Sequence, residues 1–227
     1  MKSKTKPNLL VVAHPDDETI FFAGLLMAEK KHPWHVVCVT DGNADGHGND
    51  RHKQFVAACK RLGVSKYYFF DLPDKYETRL DIKKMKSNLS TLPRFHEVFT
   101  HGPIGEYGHP HHQDVCMAVH EHFLNLAPVW GAAHNCAPDR VIKLTKSQFA
   151  VKAEILSEIY FGETERFISF VPSTATETFC EFEIAEVRAL YTYMTGKQSE
   201  PPANLKKYKW FVSYLKSFRE RVHTRPF

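Results

Sequence analysis

The chain has 227 residues, 43% of them hydrophobic and 25% charged, with 11 glycines, 13 prolines and 17 phenylalanines. That balance belongs to an ordinary globular protein and excludes collagen-like, low-complexity and disordered classes. A net charge of +4 is too mild to indicate nucleic acid, and the longest apolar runs, Thr19 to Ala28 and Asn8 to Ala13, fall short of the ~20 residues needed to cross a bilayer. Asn8 to Ala13 reads as a short buried strand and Glu18 to Lys31 as a helix, with apolar positions that include Ile20, Leu25, Met27 and Ala28. His35 to Thr40 is a second strand, and Asp50 to Leu62 a helix closed by Gly63, which suits a left-handed cap. Tyr67 to Phe70 follows as a strand, Asp81 to Leu92 as a helix stopped by Pro93, and Glu97 to Thr100 as a fourth strand. The alternation predicts an α/β fold of parallel βαβ units, a Rossmann-like, mostly parallel sheet flanked by helices.

His112 to Leu126 continues as helix, Arg140 to Leu144 as a fifth strand and Ser147 to Phe161 as helix. Thr178 to Ile184 is expected as a strand at a sheet edge, and Glu186 to Met194 as helix. Beyond Pro201-Pro202, Tyr208, Phe211, Leu215, Phe218 and Val222 recur at helical spacing opposite Lys206, Lys209, Lys216 and Arg219. Docking on the core is preferred for this face over a membrane or an acidic polymer. The basic start, Met1 to Lys6, precedes an apolar run that ends at Ala13, so no export signal is expected. Five cysteines without CxxC spacing fit reduced, buried thiols in a cytoplasmic protein, and 14 histidines ask for an explanation.

In an open parallel sheet the ligand site lies beyond the carboxyl ends of the strands. Two polar clusters occupy that address. One is His14-Pro15-Asp16-Asp17-Glu18 after the first strand; the other is Glu106-Tyr107-Gly108-His109-Pro110-His111-His112 after the fourth. The first offers an imidazole and two carboxylates within one tight turn, and His109 and His112 are spaced to share a helix face. Two histidines and a carboxylate with an open position outline a hydrolytic zinc site, although a non-haem iron triad uses the same donors. Taken singly, Asp16 or Asp17 is a helix N-cap more often than a ligand; together the residues favour a metal.

Ala13-His14-Pro15-Asp16-Asp17-Glu18 resembles the AHPDDE signature of the PIG-L/LmbE-like zinc N-deacetylase family, and Gly108-His109-Pro110-His111-His112 resembles its downstream HPDH element. Arg51 and Leu72-Pro73-Asp74 fall where the family has an arginine and an LPD turn, and the resemblance spans roughly Asn8 to Leu126. It implies that His14, Asp17 and His112 bind zinc, that Asp16 is the general base and that His109 assists the oxyanion. Arg51 and Asp74 become substrate-binding candidates. In two places the chain departs from the pattern: His111 stands for the usual aspartate and Gln54 for a common glutamate. With that aspartate gone, Asp114 is the candidate for orienting the histidines.

The resemblance thus implies a single deacetylase domain over 1–227, with core motifs at 8–126 and a substrate-shaping segment at 127–227. The expected cofactor is one Zn²⁺ per chain, with Fe²⁺ or another divalent ion not excluded. The expected substrate is an N-acetylated amino sugar of the N-acetylglucosamine type, free or glycan-linked. No nucleic-acid partner or transmembrane segment is expected, and homo-oligomerisation stays open. Two alternatives remain: a non-catalytic glycan-binding member of the family, and a metal-dependent phosphoesterase. Tyr107, Trp130, His134 and Phe161 are candidates for a sugar-stacking rim.

Overall fold

The computed structural model describes residues 5–75 and 78–224, the side chains of 166–168 and 220–224 excepted, so Met1 to Lys4 and the side chain of Val222 lie outside the described residues. The strands are β1 (Asn8–Val12), β2 (Trp34–Thr40), β3 (Lys66–Leu72), β4 (Val98–Thr100), β5 (Val129–Ala132), β6 (Arg140–Lys143) and β7 (Thr176–Glu181). They form one sheet in the order β3-β2-β1-β4-β5-β7-β6. The pairings from β3 across to β5 are parallel, whereas β7 runs antiparallel to both β5 and β6.

The helices are α1 (Asp17–Ile20), α2 (Ala23–Ala28), α3 (Gly48–Leu62), α4 (Ile82–Leu89), α5 (Pro110–Phe123), α6 (Lys146–Glu154), α7 (Phe161–Thr164), α8 (Ile184–Met194) and α9 (Val212–Thr224). Because side chains alternate along a strand, Leu10 and Val12 pack on α2 and α3 while Leu9 and Val11 pack on α4 and α5. Both faces of β1 are therefore covered, which is why its sequence is a continuous apolar run rather than an alternation. The helices that follow β1 and β4 lie on opposite faces. The crevice beyond the carboxyl ends of β1 and β4 is thus a topological switch point.

Several expectations needed correction. The helix expected over Glu18 to Lys31 is two helices, broken at Phe21 and Phe22. The buried Glu177 carboxylate restarts the second one by accepting from the Gly24 and Leu25 N–H groups at 2.8 and 2.9 Å, and Lys152 pairs with it at 2.8 Å. The sequence reading passed over β5, a four-residue strand behind Pro128. Its Gly131 is required by close approach, since a Cβ there would come within 2.7 Å of the Phe182 ring. The strand expected at an edge, β7, is interior, and β6 forms the edge. The helix expected over Ser147 to Phe161 ends in a π-helical turn over Ile155–Ile159.

The terminal face behaves as expected: Tyr208, Phe211 and Leu215 are buried in a third apolar cluster with Val187, Leu190 and Tyr193 of α8 and Cys116 of α5. No helix among the described residues is long and apolar enough to cross a membrane.

Candidate metal and catalytic site

The turn from β1 into α1 holds its two aspartates apart. Asp16 adopts φ 116° and ψ −33°, a conformation that strains any residue but glycine. Its N–H donates to Glu18 Oε2 at 3.1 Å, while Glu18 Oε1 accepts from Thr19 Oγ1 at 2.6 Å and from the Tyr160 hydroxyl at 3.0 Å. Arg51 Nη2 donates to the Pro15 carbonyl at 2.9 Å and to Asp16 Oδ2 at 3.3 Å, and lies 3.6 Å from Glu163. The Asp17 carboxylate turns the other way. Its Oδ2 accepts from the His14 N–H at 2.8 Å and stands 3.4 Å from His14 Nδ1, and its Oδ1 stands 3.3 Å from His112 Nε2. The neighbouring glycine loop leans on this turn: a Cβ on Gly42, at φ +62°, would come within 3.1 Å of Pro15.

The two carboxyls consequently titrate in opposite directions. Burial, and then the adjacent Asp17, push Asp16 well above the usual carboxylate range, with Arg51 opposing. Burial alone would raise Asp17 too, but the His112 and His101 rings beside it hold it well below that range. Such divergence within a pair of neighbouring carboxylates suits one to proton transfer and the other to binding a cation.

The loop after β4 supplies the second half. Glu106, fully buried and itself at φ 50°, accepts at Oε2 from His112 Nδ1 at 2.5 Å and from His101 Nδ1 at 3.1 Å. Its Oε1 accepts from the Gly102 N–H at 2.7 Å. A carboxylate can only accept here, so both rings carry a proton on Nδ1. Burial lowers the His112 pKa and leaves that ring neutral with a lone pair at Nε2. At His101 burial is outweighed by Glu106 and Asp17, which push the pKa up to about 10, and it is the Ala13 N–H pointing at Nε2 that calls for a lone pair there. The His101 lone pair is taken by the Ala13 N–H at 2.9 Å, which ties the end of β1 to β4. The His112 lone pair has no hydrogen-bond partner although the atom is buried. His109 caps α5, its Nδ1 accepting from the His111 N–H at 3.2 Å, so its own proton is on Nε2. Burial, then His14 and His112, push the His109 pKa well down and keep the ring neutral.

This donor set fits a divalent ion. Among the described residues three groups have ligand atoms mutually within 4.8 Å: His14, His109 and His112; His14, Asp74 and His111; and Asp17, His101 and His112. His112, shared by the first and the third, has an orphaned buried acceptor at Nε2. Donor atoms bound at ~2.0–2.1 Å to a tetrahedral ion lie roughly 3.3–3.4 Å apart; His14 Nδ1 stands at that spacing from Asp17 Oδ2 and His112 Nε2 from Asp17 Oδ1, so the two rings flank different oxygens of one carboxylate.

Of the catalytic, ligand, sugar-binding and ring-orienting candidates singled out from the sequence, all but one converge here. Arg51 sits against Asp16, and Asp74 Oδ1 lies 3.6 Å from His14 Nε2 and 3.4 Å from His111 Nδ1. Asp114 is the exception and a correction. Its carboxylate accepts from Arg79 at 3.1 Å, the Leu80 N–H at 2.8 Å and the Tyr191 hydroxyl at 2.8 Å, and it touches no histidine. One turn along α5 from Pro110, it faces the loop at 79–80 and α8. Glu106 holds the rings instead, a residue of the motif loop to which the sequence reading gave no part. An acidic residue within a histidine-bearing loop was the available signal. Tyr160 and Glu163, which steady Glu18 and Arg51, were also missed, having no motif around them.

Of the rim candidates, Tyr107 is exposed with its ring 5.5 Å from that of His112, Phe161 is exposed, and His134 lies 6.0 Å from Phe21. Trp130 is not at the rim: it stacks on Phe99 and donates to Glu97.

The protein-family model for the PIG-L family, described as GlcNAc-PI de-N-acetylase, matches residues 9–123, half of the chain. The chain belongs to the PIG-L family. Among curated relatives, a probable N-acetylglucosaminyl-phosphatidylinositol de-N-acetylase of Schizosaccharomyces pombe is 30% identical over 115 residues, covering 46% of each chain. The chain spans about half the length of the curated relatives it matches. Among solved structures, the N,N'-diacetylchitobiose deacetylase of Pyrococcus horikoshii superposes with a TM-score of 0.67 at 18% identity, covering 79% of this chain and 85% of the other. GalB, the 4-carboxy-2-hydroxymuconate hydratase of Pseudomonas putida, does so with a TM-score of 0.57 at 19% identity, covering 90% and 93%. At such identities the likeness carries the fold alone. One fold holds a deacetylase and a hydratase, so function is argued from the site.

Proposed function

We propose that this PIG-L family member is a metal-dependent hydrolase that removes the acetyl group from an N-acetylated amino sugar of the N-acetylglucosamine type. One observation carries the reading: an orphaned buried His112 lone pair faces the Asp17 carboxylate, one residue along from Asp16, whose carboxyl burial pushes up. The activities that name the fission-yeast relative and the chitobiose deacetylase, both on N-acetylglucosamine derivatives, support the substrate class. His14, Asp17 and His112 would hold one ion per chain, Zn²⁺ by their donor chemistry, with Fe²⁺ using the same set. When bound, the ion supplies Lewis acidity to the acetyl carbonyl and the attacking water.

The remaining work belongs to side chains. Asp16, unprotonated above its raised pKa, takes a proton from the water as the water adds to the carbonyl carbon. His109, neutral with its proton on Nε2, donates a hydrogen bond to the developing oxyanion. Asp16 then returns its proton to the amine nitrogen as the C–N bond breaks, leaving acetate and a free amino sugar. Arg51 and Asp74, flanking Asp16 and His14, bind the sugar. The segment from residue 127 shapes the substrate side through Glu163 and Phe161. Metal-loaded Asp16→Asn protein, assayed for free amine release from N-acetylhexosamine conjugates, tests this. Metal content by elemental analysis should be unchanged while turnover falls by roughly 10² or more; undiminished turnover overturns the assignment.

A further inference from the structure

His111 is the family departure nearest the metal ligands, and the hydrogen bonds around it define a role. Its Nε2 lies 2.9 Å from the Thr78 carbonyl oxygen, and a carbonyl can only accept. The neutral His111 ring therefore carries its proton on Nε2 and offers a lone pair at Nδ1. His14 Nε2 lies 3.0 Å from that lone pair. Two lone pairs repel, so the bond requires His14 to carry its proton on Nε2. Asp74 Oδ1, at 3.6 Å from His14 and 3.4 Å from His111, is beyond good hydrogen-bonding distance. Both rings are buried, His14 at 7% and His111 at 1% exposure, so bulk water offers little competition.

We propose that His111, anchored on the Thr78 carbonyl, is a positioning residue that fixes the ring proton of His14 on Nε2 and so aims the His14 Nδ1 lone pair at the metal position beside Asp17. In this chain a neutral imidazole backed by the main chain does the orienting that the family pattern gives to an aspartate. A carboxylate partner raises the basicity of a ligand histidine, and a neutral acceptor raises it less. Restoring the aspartate should accordingly tighten metal binding, or at least preserve it. The inference rests on His14 being a metal ligand in the function proposed above, but its decisive readout needs neither metal nor substrate.

That readout is the tautomer. In metal-free protein with ¹⁵N-labelled histidine, NMR correlation of ring nitrogens with ring protons should show a proton on His14 Nε2, and His111 protonated on Nε2 and bare on Nδ1; His14 Nδ1, 3.4 Å from Asp17 Oδ2, is free to hold a second proton until an ion displaces it. A bare Nε2 on His14, or a proton on His111 Nδ1, overturns the proposal. Zn²⁺ affinity, measured by chelator competition, supplies the second arm. His111→Leu should weaken binding by roughly 10–100-fold, and His111→Asp should match or exceed the wild type. Undiminished affinity in His111→Leu, or a loss in His111→Asp equal to that of His111→Leu, refutes it. A protein with the expected tautomers and affinities that released no amine from any N-acetylhexosamine conjugate would overturn the deacetylase reading and leave this one standing.

Discussion

The two sides of the Asp17 carboxylate are built from different material. On one side a single buried carboxylate, Glu106, accepts from two rings and leaves the His112 lone pair facing Asp17. On the other, His14 leans on another histidine, which leans on a main-chain carbonyl. In the proposed arrangement both present a lone pair beside the Asp17 carboxylate, one backed by a full charge and the other by dipoles. A charged acceptor in a dry interior makes the stronger bonds. Glu106 also serves as the hub of its side, joining His101, His112 and the Gly102 N–H, so loss of that side is all or none. The His14 side is a linear relay in which each link can be weakened separately.

Breaking the charged side should have the largest effect. Glu106→Ala removes the acceptor of two buried ring N–H groups, each costing about 1–3 kcal/mol when left unpaired. Zn²⁺ affinity should fall by roughly 10–100-fold or more, read by chelator competition alongside thermal melting. A variant that melts early yet binds the ion like wild type would show that Glu106 serves the fold and not the ligand.

A smaller effect tests whether the base stands apart from both sides. Asp16 leans on Arg51, whose guanidinium opposes the upward push of burial on its carboxyl. Arg51→Gln removes that opposition, so the Asp16 pKa rises further. Because a base acts when deprotonated, the acid limb of the kcat/KM profile should move to higher pH in the variant, with Zn²⁺ affinity unchanged. An acid limb that stays in place would separate Asp16 from that limb.

The half of the molecule with a repeating βαβ rhythm was legible in the sequence, because burial on both faces forces apolar runs such as Asn8 to Ala13 and caps such as Gly63. Legibility failed where long-range contacts decide. The break at Phe21 depends on Glu177 reaching back from β7, and β5 depends on Gly131 fitting under Phe182. At the site, adjacency in sequence marked His14, Asp16, Asp17, His109 and His112. Orientation was not written there: which carboxylate grips which ring depends on loop conformations such as the positive φ of Glu106. Asp114 was singled out to replace the aspartate that the family pattern has at His111, and that pattern cannot say which way the loop carrying Glu106 folds back.

The smallest expected effect on the metal separates these two carboxylates. Asp114 holds Arg79, the Leu80 N–H and the Tyr191 hydroxyl, so it reaches the His14 side only by pinning the loop from which the Thr78 carbonyl faces His111. Asp114→Asn keeps the shape but turns an N–H₂ toward at least one buried donor, at a cost of about 1–3 kcal/mol. At this size the melting temperature should drop by roughly 2–4 °C per kcal/mol. Zn²⁺ affinity should move by less than about threefold, because no ring loses its direct hydrogen-bond partner. An affinity loss as deep as that of Glu106→Ala would mean that the loop at 78–80 sets the His14 relay as firmly as the Glu106 charge sets His112, and the two sides would then be equal in strength.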